Sequence, residues 1–224
     1  MSLIEIQNIS KIYNSTAVPV QAIKDVSLKI DKKEFTAIVG PSGSGKTTLL
    51  NILGGLDKPT SGKVIIDGKD ITRLSSGKLT DFRLHRIGFV FQAYNLIPVF
   101  TAKENVEFIM LLQGIDKSER NRRATELLKS VGLKDRLDSR PTQLSGGQQQ
   151  RVAVARALAS QPSFVLADEP TANLDSASAE ALLDMMETLN KDREMTFVFS
   201  THDQRVIKRA HRVVVLRDGQ LQQS

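Results

Sequence analysis

Gly40-Pro41-Ser42-Gly43-Ser44-Gly45-Lys46-Thr47 is the stretch on which the reading of this chain turns. The eight residues fit G-x-x-x-x-G-K-[ST] in full. Phe35-Thr36-Ala37-Ile38-Val39 enters the motif, a short apolar run of the kind buried on both faces of a parallel sheet. A helical stretch over 48–53 leaves it. Both flanks matter physically. Glycines let the backbone wrap until successive N–H groups converge on phosphate oxygens, and a helix N-terminus adds partial positive charge. Lys46 would then reach the β- and γ-phosphates while the Thr47 hydroxyl holds Mg²⁺. The pattern implies a site for a nucleoside triphosphate.

Two further apolar runs have the same character, Phe164-Val165-Leu166-Ala167 and Phe197-Val198-Phe199. Between them Leu182, Met185, Met186 and Leu189 recur at helical spacing. Strand, helix, strand is a crossover unit, so the class is α/β. Upstream, Ile4 and Ile6 alternate with Glu5 and Gln7, and Val26, Leu28 and Ile30 with Ser27 and Lys29, as in strands with one solvated face. From 101 to 158 the patterns are helical, broken at Gly114, Gly132 and Pro141, which suggests an inserted all-helical lobe.

Asp168 and Glu169 directly follow the run at 164–167, at the carboxyl end of a buried strand, where ligands of open α/β sheets gather. One carboxylate there can orient Mg²⁺ and its neighbour can polarise an attacking water. Leu144-Ser145-Gly146-Gly147-Gln148 reads first as a capping box, Ser145 with Gln148, opening a helix over 149–159. A capping box does not require two adjacent glycines, which bring bare N–H groups close to any anion docked at the helix start.

The remaining composition narrows the field. The 224 residues are 40% hydrophobic and 25% charged, ordinary globular usage rather than a low-complexity or disordered class. There is no cysteine, so neither a disulfide framework nor a thiolate site is available. No apolar run approaches the ~20 residues of a membrane span, and MSLIEIQNISK has no apolar leader segment. The net charge of +6 is densest over 117–123, in a stretch that opens a helix with the apolar stripe Ala124, Leu127, Leu128 and Val131 and closes at Gly132. Those cations are read as a solvated helix face rather than a nucleic-acid surface.

In this order the phosphate loop, LSGGQ and the strand ending in Asp168-Glu169 resemble the nucleotide-binding subunit of an ABC transporter over essentially the whole chain. The resemblance implies a P-loop NTPase core, a mostly parallel sheet flanked by helices, with an N-terminal antiparallel β-subdomain and an inserted all-helical lobe. It implies one nucleotide-binding domain over 1–224, with 1–92 and 159–224 as the core lobe and 93–158 as the helical lobe. ATP and Mg²⁺ are the implied cofactors. Tyr13 matches the aromatic that stacks on adenine, and residues 40–48, through Thr48, match the phosphate-binding segment. Gln92 in Phe89-Val90-Phe91-Gln92 matches the glutamine that joins the lobes and reaches Mg²⁺ and the attacking water. Asp168 and Thr47 match the other Mg²⁺ ligands, Glu169 the general base, and His202 the histidine that senses the γ-phosphate. Ala172-Asn173-Leu174-Asp175 matches a loop lining the interface between paired subunits, and His85 and His211 match nothing. The family pairs head to tail, so Ser145, Gly146, Gly147 and Gln148 of one copy would cap the ATP held by Lys46 of the other.

The stretches at 54–62, 87–92, 95–98, 101–106 and 147–151 are similar to the lipoprotein-releasing and macrolide-exporter branch. Ala172, where the branch often has Gly, and Asp31-Lys32-Lys33-Glu34, which lacks a customary Gly, depart from it. The resemblance implies a separate transmembrane permease partner, an ATP-dependent homodimer or pairing with a related subunit, no nucleic acid, and a place on the cytoplasmic face of the membrane. The apolar cluster Tyr94, Leu96, Ile97, Val99 and Phe100 around Pro98 is read either as local packing between the lobes or as a groove for a short helix of that permease. DNA-repair and chromosome-structuring ATPases share both nucleotide motifs, but they separate them by coiled-coil arms, and no heptad run lies between Lys46 and Ser145. Translation factors of the same superfamily need two cassettes, and this chain has one.

Overall fold

The computed structural model of the chain describes residues 2–14 and 18–222. Its first half runs β1 (Ser2–Tyr13), β2 (Val20–Asp31), β3 (Phe35–Val39), α1 (Lys46–Leu53), β4 (Ser61–Ile66), β5 (Lys69–Asp70), α2 (Ser76–Arg86) and β6 (Ile87–Val90). Then come α3 (Ala102–Leu112), α4 (Lys117–Ser130), α5 (Gly146–Ala159), β7 (Phe164–Asp168), α6 (Ser176–Arg193), β8 (Thr196–Thr201), α7 (Gln204–Arg209), β9 (Arg212–Arg217) and β10 (Gln220–Leu221).

The strands form two sheets. One is antiparallel, in the order β2-β1-β4-β5, and its alternating sequence does what alternation requires: Ile4, Ile6, Val26, Leu28 and Ile30 point inward. The other has the order β10-β9-β3-β8-β7-β6, parallel from β9 to β6, with β10 antiparallel on the edge. All three continuous apolar runs of the sequence are central strands of this sheet. Period 2 then divides each run between two cores. On β7, Phe164 and Leu166 face the antiparallel sheet and α1, while Val165 and Ala167 face the side of α3 to α6. On that second side Phe35 packs its ring 4.6 Å from that of Phe199.

The helical segment expected over 101–158 is α3, α4 and α5, and the breaks fall where expected. Gly114 and Gly132 have positive φ, and Pro141 opens a 3₁₀ turn, Pro141–Gln143. Met110, Ala124 and Leu128 form the centre of this bundle, which continues without interruption through Val152 and Ala155 to the underside of the sheet. Two helix starts differ from expectation. α1 begins at Lys46 rather than 48, because Gly45 already caps it. α5 begins at Gly146 rather than Gln149, because the Ser145–Gln148 capping box places both glycines inside the first turn.

Candidate active site

The site grows from the turn between β3 and α1. Gly45 caps α1 with φ +101°, and a Cβ there would come within 2.5 Å of the Ala22 carbonyl, so no other residue fits without displacing β2. No side chain caps α1, which leaves its first N–H groups for a ligand. Lys46 is buried, and its ammonium donates to the carbonyls of Gly40 and Pro41 at 2.8 and 3.0 Å. Among the described residues no carboxylate forms an ion pair with it. A buried cation hydrogen-bonded to two carbonyls and in no ion pair suits an anionic ligand.

At the end of β7, the Thr47 hydroxyl donates to Asp168 Oδ1 at 3.2 Å. Burial raises the Asp168 pKa, and the neighbouring Glu169 charge adds to this, against the Thr47 bond and the Lys46 charge. A hydroxyl and a carboxylate held this close are the hard oxygen donors that Mg²⁺ takes, so the residues present fit that ion.

Glu169 leaves the strand with φ +44° and is anchored by its own N–H, which donates to the Ser200 carbonyl at 2.8 Å. Its carboxylate is held from two sides. His202 Nδ1 lies 2.7 Å from Oε1, and the Thr201 hydroxyl donates to Oε2 at 3.2 Å. Pro41, Ser42, Lys46, Gln92, Glu169 and His202 line one cleft of about 860 Å³, together with residues of β2 and of the β9–β10 turn. A larger open cleft, about 1120 Å³, lies between β2 and β9–β10 but carries mixed charge and none of the expected residues. The smaller cleft is therefore the one that gathers the expected residues.

Tyr13 and residues 145–148 are not among the residues that line the cleft. Tyr13 ends β1, where its hydroxyl donates to Asp57 Oδ2 at 2.6 Å and the Lys11 ammonium sits 4.7 Å from its ring centroid. One face of that ring is already occupied by a cation, and burial with the Asp57 bond raises its pKa. Ser145 and Gln148 cap α5 reciprocally at 3.3 and 3.0 Å, on the exposed start of the helix. The glycines beside them have a packing reason the motif did not convey. A Cβ on Gly146 would come within 2.7 Å of the Tyr94 hydroxyl, and one on Gly147 within 2.9 Å of Ser178 Cβ.

A clamp absent from the sequence reading joins the loops after Glu169 and His202. The Thr171 hydroxyl donates to Asp203 Oδ2 at 2.6 Å, and Arg205 grips the same carboxylate. Burial alone would raise the Asp203 pKa, but these bonds hold it at about 2. The place of Asp203, just before the short helix α7, was the available signal, since it is an N-cap position.

Residues 23–172 match the family model described as ABC transporter. The chain belongs to that family, as an ATP-binding subunit and ATPase. It is similar to the lipoprotein-releasing system ATP-binding protein LolD of Legionella pneumophila, 47% identical over 96% of this chain and 95% of the relative. It is also similar to the macrolide export ATP-binding/permease protein MacB of Syntrophobacter fumaroxidans, 48% identical over 98% of this chain but only 31% of that longer protein. Among solved structures, the ATP-binding cassette MJ0796, a protein of Methanocaldococcus jannaschii, matches with a TM-score of 0.90 at 44% identity, covering 98% of this chain and 97% of that one. That structure is a dimer in a post-hydrolysis state bound to ADP and Pi.

Proposed function

We propose that two copies of this chain pair head to tail around two ATP molecules and thereby drive a separate membrane permease. One observation carries the pairing: residues 145–148 are not among those lining the cleft that holds Lys46 and Glu169, and Ser145 stands exposed elsewhere on the same chain. Each copy thus offers one half of a site at two separate places.

In this reading Lys46 leaves its two carbonyls for the β- and γ-phosphates. Thr47, Asp168 and Gln92 are the residues that would hold Mg²⁺, which when bound neutralises charge on the phosphoryl oxygens. Gln92 orients the attacking water, and Glu169 accepts its proton as the bond to the γ-phosphorus forms and the bond to the ADP oxygen breaks. His202 holds the Glu169 carboxylate from Oε1 and turns to the γ-phosphate when that is present. Tyr13 offers its free face to the adenine. Ser145, Gly146, Gly147 and Gln148 of the second copy close the site with the Ser145 hydroxyl and the first N–H groups of α5.

Complementation tests the pairing. Lys46→Ala removes the phosphate contact and Ser145→Arg blocks the cap, so neither variant alone should hydrolyse ATP. Mixed in equal amounts, they form hybrid dimers with one intact site, and about one quarter of the parent activity should return. No recovery on mixing rejects the composite site.

The permease surface is read at the loop after Gln92 and the end of α3, where Val99, Leu111 and Leu112 are 69%, 50% and 55% exposed. Phe100 packs on Phe108 at 5.7 Å beside them. The fully buried Asn105 shapes this loop, accepting from the Ile97 N–H and donating to the carbonyls of Ile97, Phe100 and Thr101. Exposed apolar residues in the loop that follows Gln92 suit an anchoring helix from a membrane protein. No described helix is long and apolar enough to cross a membrane, so the permease would supply the membrane attachment on the cytoplasmic side. Likeness to LolD and MacB favours extrusion as the transport direction. Phe100→Asp should leave ATP affinity unchanged and abolish co-purification with the permease; retained co-purification rejects this surface.

A further inference from the structure

Residues 91–95, which carry Gln92, lie outside any helix or strand. Side chains hold their carbonyls instead. Gln150 Nε2 donates to the Phe91 carbonyl at 3.4 Å and Asn173 Nδ2 to that of Gln92 at 3.0 Å. The Arg156 guanidinium donates to the carbonyls of Tyr94, at 3.0 Å, and Asn95. Gln150 and Arg156 both belong to α5, the helix whose first turn is the glycine-rich Ser145–Gln148 segment.

Gln150 has a second arm. The same Nε2 donates to the Pro170 carbonyl at 2.9 Å, one residue beyond Glu169. The side chain is fully buried, and its Oε1 has no partner among the described residues. A buried amide with an orphaned oxygen is a poor way to stabilise a core, because the unpaired acceptor has lost its water for nothing in return. An apolar side chain of similar volume would remove the orphaned oxygen but strand the Phe91 and Pro170 carbonyls. The residue is explained better by what it connects, namely the start of α5, the segment before Gln92 and the segment after Glu169.

We propose that Gln150 is a positioning residue for hydrolysis. It ties Gln92 and Glu169 to the first turns of α5, so that a displacement of the Ser145 end moves both catalytic loops together. A helix passes on such a displacement as a rigid body, and Gln150 lies less than two turns from Ser145. Binding of nucleotide by Lys46 and Thr47 does not pass through this link, so Gln150 governs turnover rather than affinity. The proposal rests on the roles of Gln92 and Glu169 given above.

Gln150→Met keeps length and removes both hydrogen bonds, and Gln150→Leu carries the test should Q150M not fold. Val154→Ala, a truncation at another buried position of α5, controls for lost packing. In the full chain, Q150M should lower kcat at least ~10-fold and leave ATP affinity within ~2-fold, the split expected of a group acting only on the chemical step. V154A should lower the melting temperature more and kcat less. Amide hydrogen exchange over 91–95 should quicken in Q150M and not in V154A. A kcat for Q150M within about threefold of the parent, or an equal fall in V154A, overturns the proposal. Full hydrolysis by Glu169→Gln would instead remove the reading beneath it, so the two failures are distinguishable.

Discussion

Glu169→Gln is expected to cut ATP hydrolysis at least ~100-fold, the span a positioned general base supplies, while ATP still binds. The amide has the shape of the carboxylate. It can still accept from the Thr201 hydroxyl, and the left-handed backbone at φ +44° with its N–H on the Ser200 carbonyl is untouched. What it loses is the capacity to take a proton. With hydrolysis blocked, ATP-bound pairs should accumulate, and the mass in solution should double on adding ATP and fall again when ATP is removed. A chain that binds ATP but stays a monomer would mean that the permease is needed to align the halves. Hydrolysis at the parent rate would move the base to another residue and void the mechanism.

Lys46→Ala is expected to weaken ATP binding by ~10- to 100-fold, the worth of charge-assisted hydrogen bonds to a phosphate. The same substitution should leave the melting temperature unchanged or raise it. The ammonium is buried, and in the ligand-free chain two carbonyls accept from it while no carboxylate among the described residues forms an ion pair with it. Removing it relieves a desolvation cost of about 1–3 kcal/mol and forfeits only two hydrogen bonds. Equilibrium binding and thermal unfolding, measured on one preparation, separate the alternatives. A structural lysine would lose stability along with affinity, whereas a ligand-binding one loses affinity alone.

Much of this chemistry was legible because it is local. Eight consecutive residues build the phosphate turn, and two consecutive carboxylates end a strand, so the sequence carries their spacing directly. The nearly continuous apolar runs at 35–39, 164–167 and 197–199 announced a buried parallel sheet because they lack the polar alternation of a strand with one solvated face. Other strands escaped notice for equally physical reasons. β9 carries Val213 and Val215 half-exposed between buried Val214 and Leu216, and β4 opens on three exposed residues, so neither stands out from its surroundings. The same limit applied to the helix starts, where a cap residue sets the first turn before any apolar stripe begins.

The class of sheet and the phosphate loop are legible along the chain because each depends on residues within one turn or one strand of each other, and the order of the nucleotide motifs along the whole chain carries the family. The folded structure settles which face of each strand meets which core and what packs against Gly146 and Gly147. It alone joined Glu169 to His202, Thr171 to Asp203, and Gln150 to both Phe91 and Pro170. Those contacts join residues from 20 to 59 positions apart in the chain, and only the packing of α5 and the loops against one sheet edge brings them together. A hydrogen bond across such a span leaves no periodicity or spacing in the sequence, because its geometry is set by the fold rather than by its neighbours.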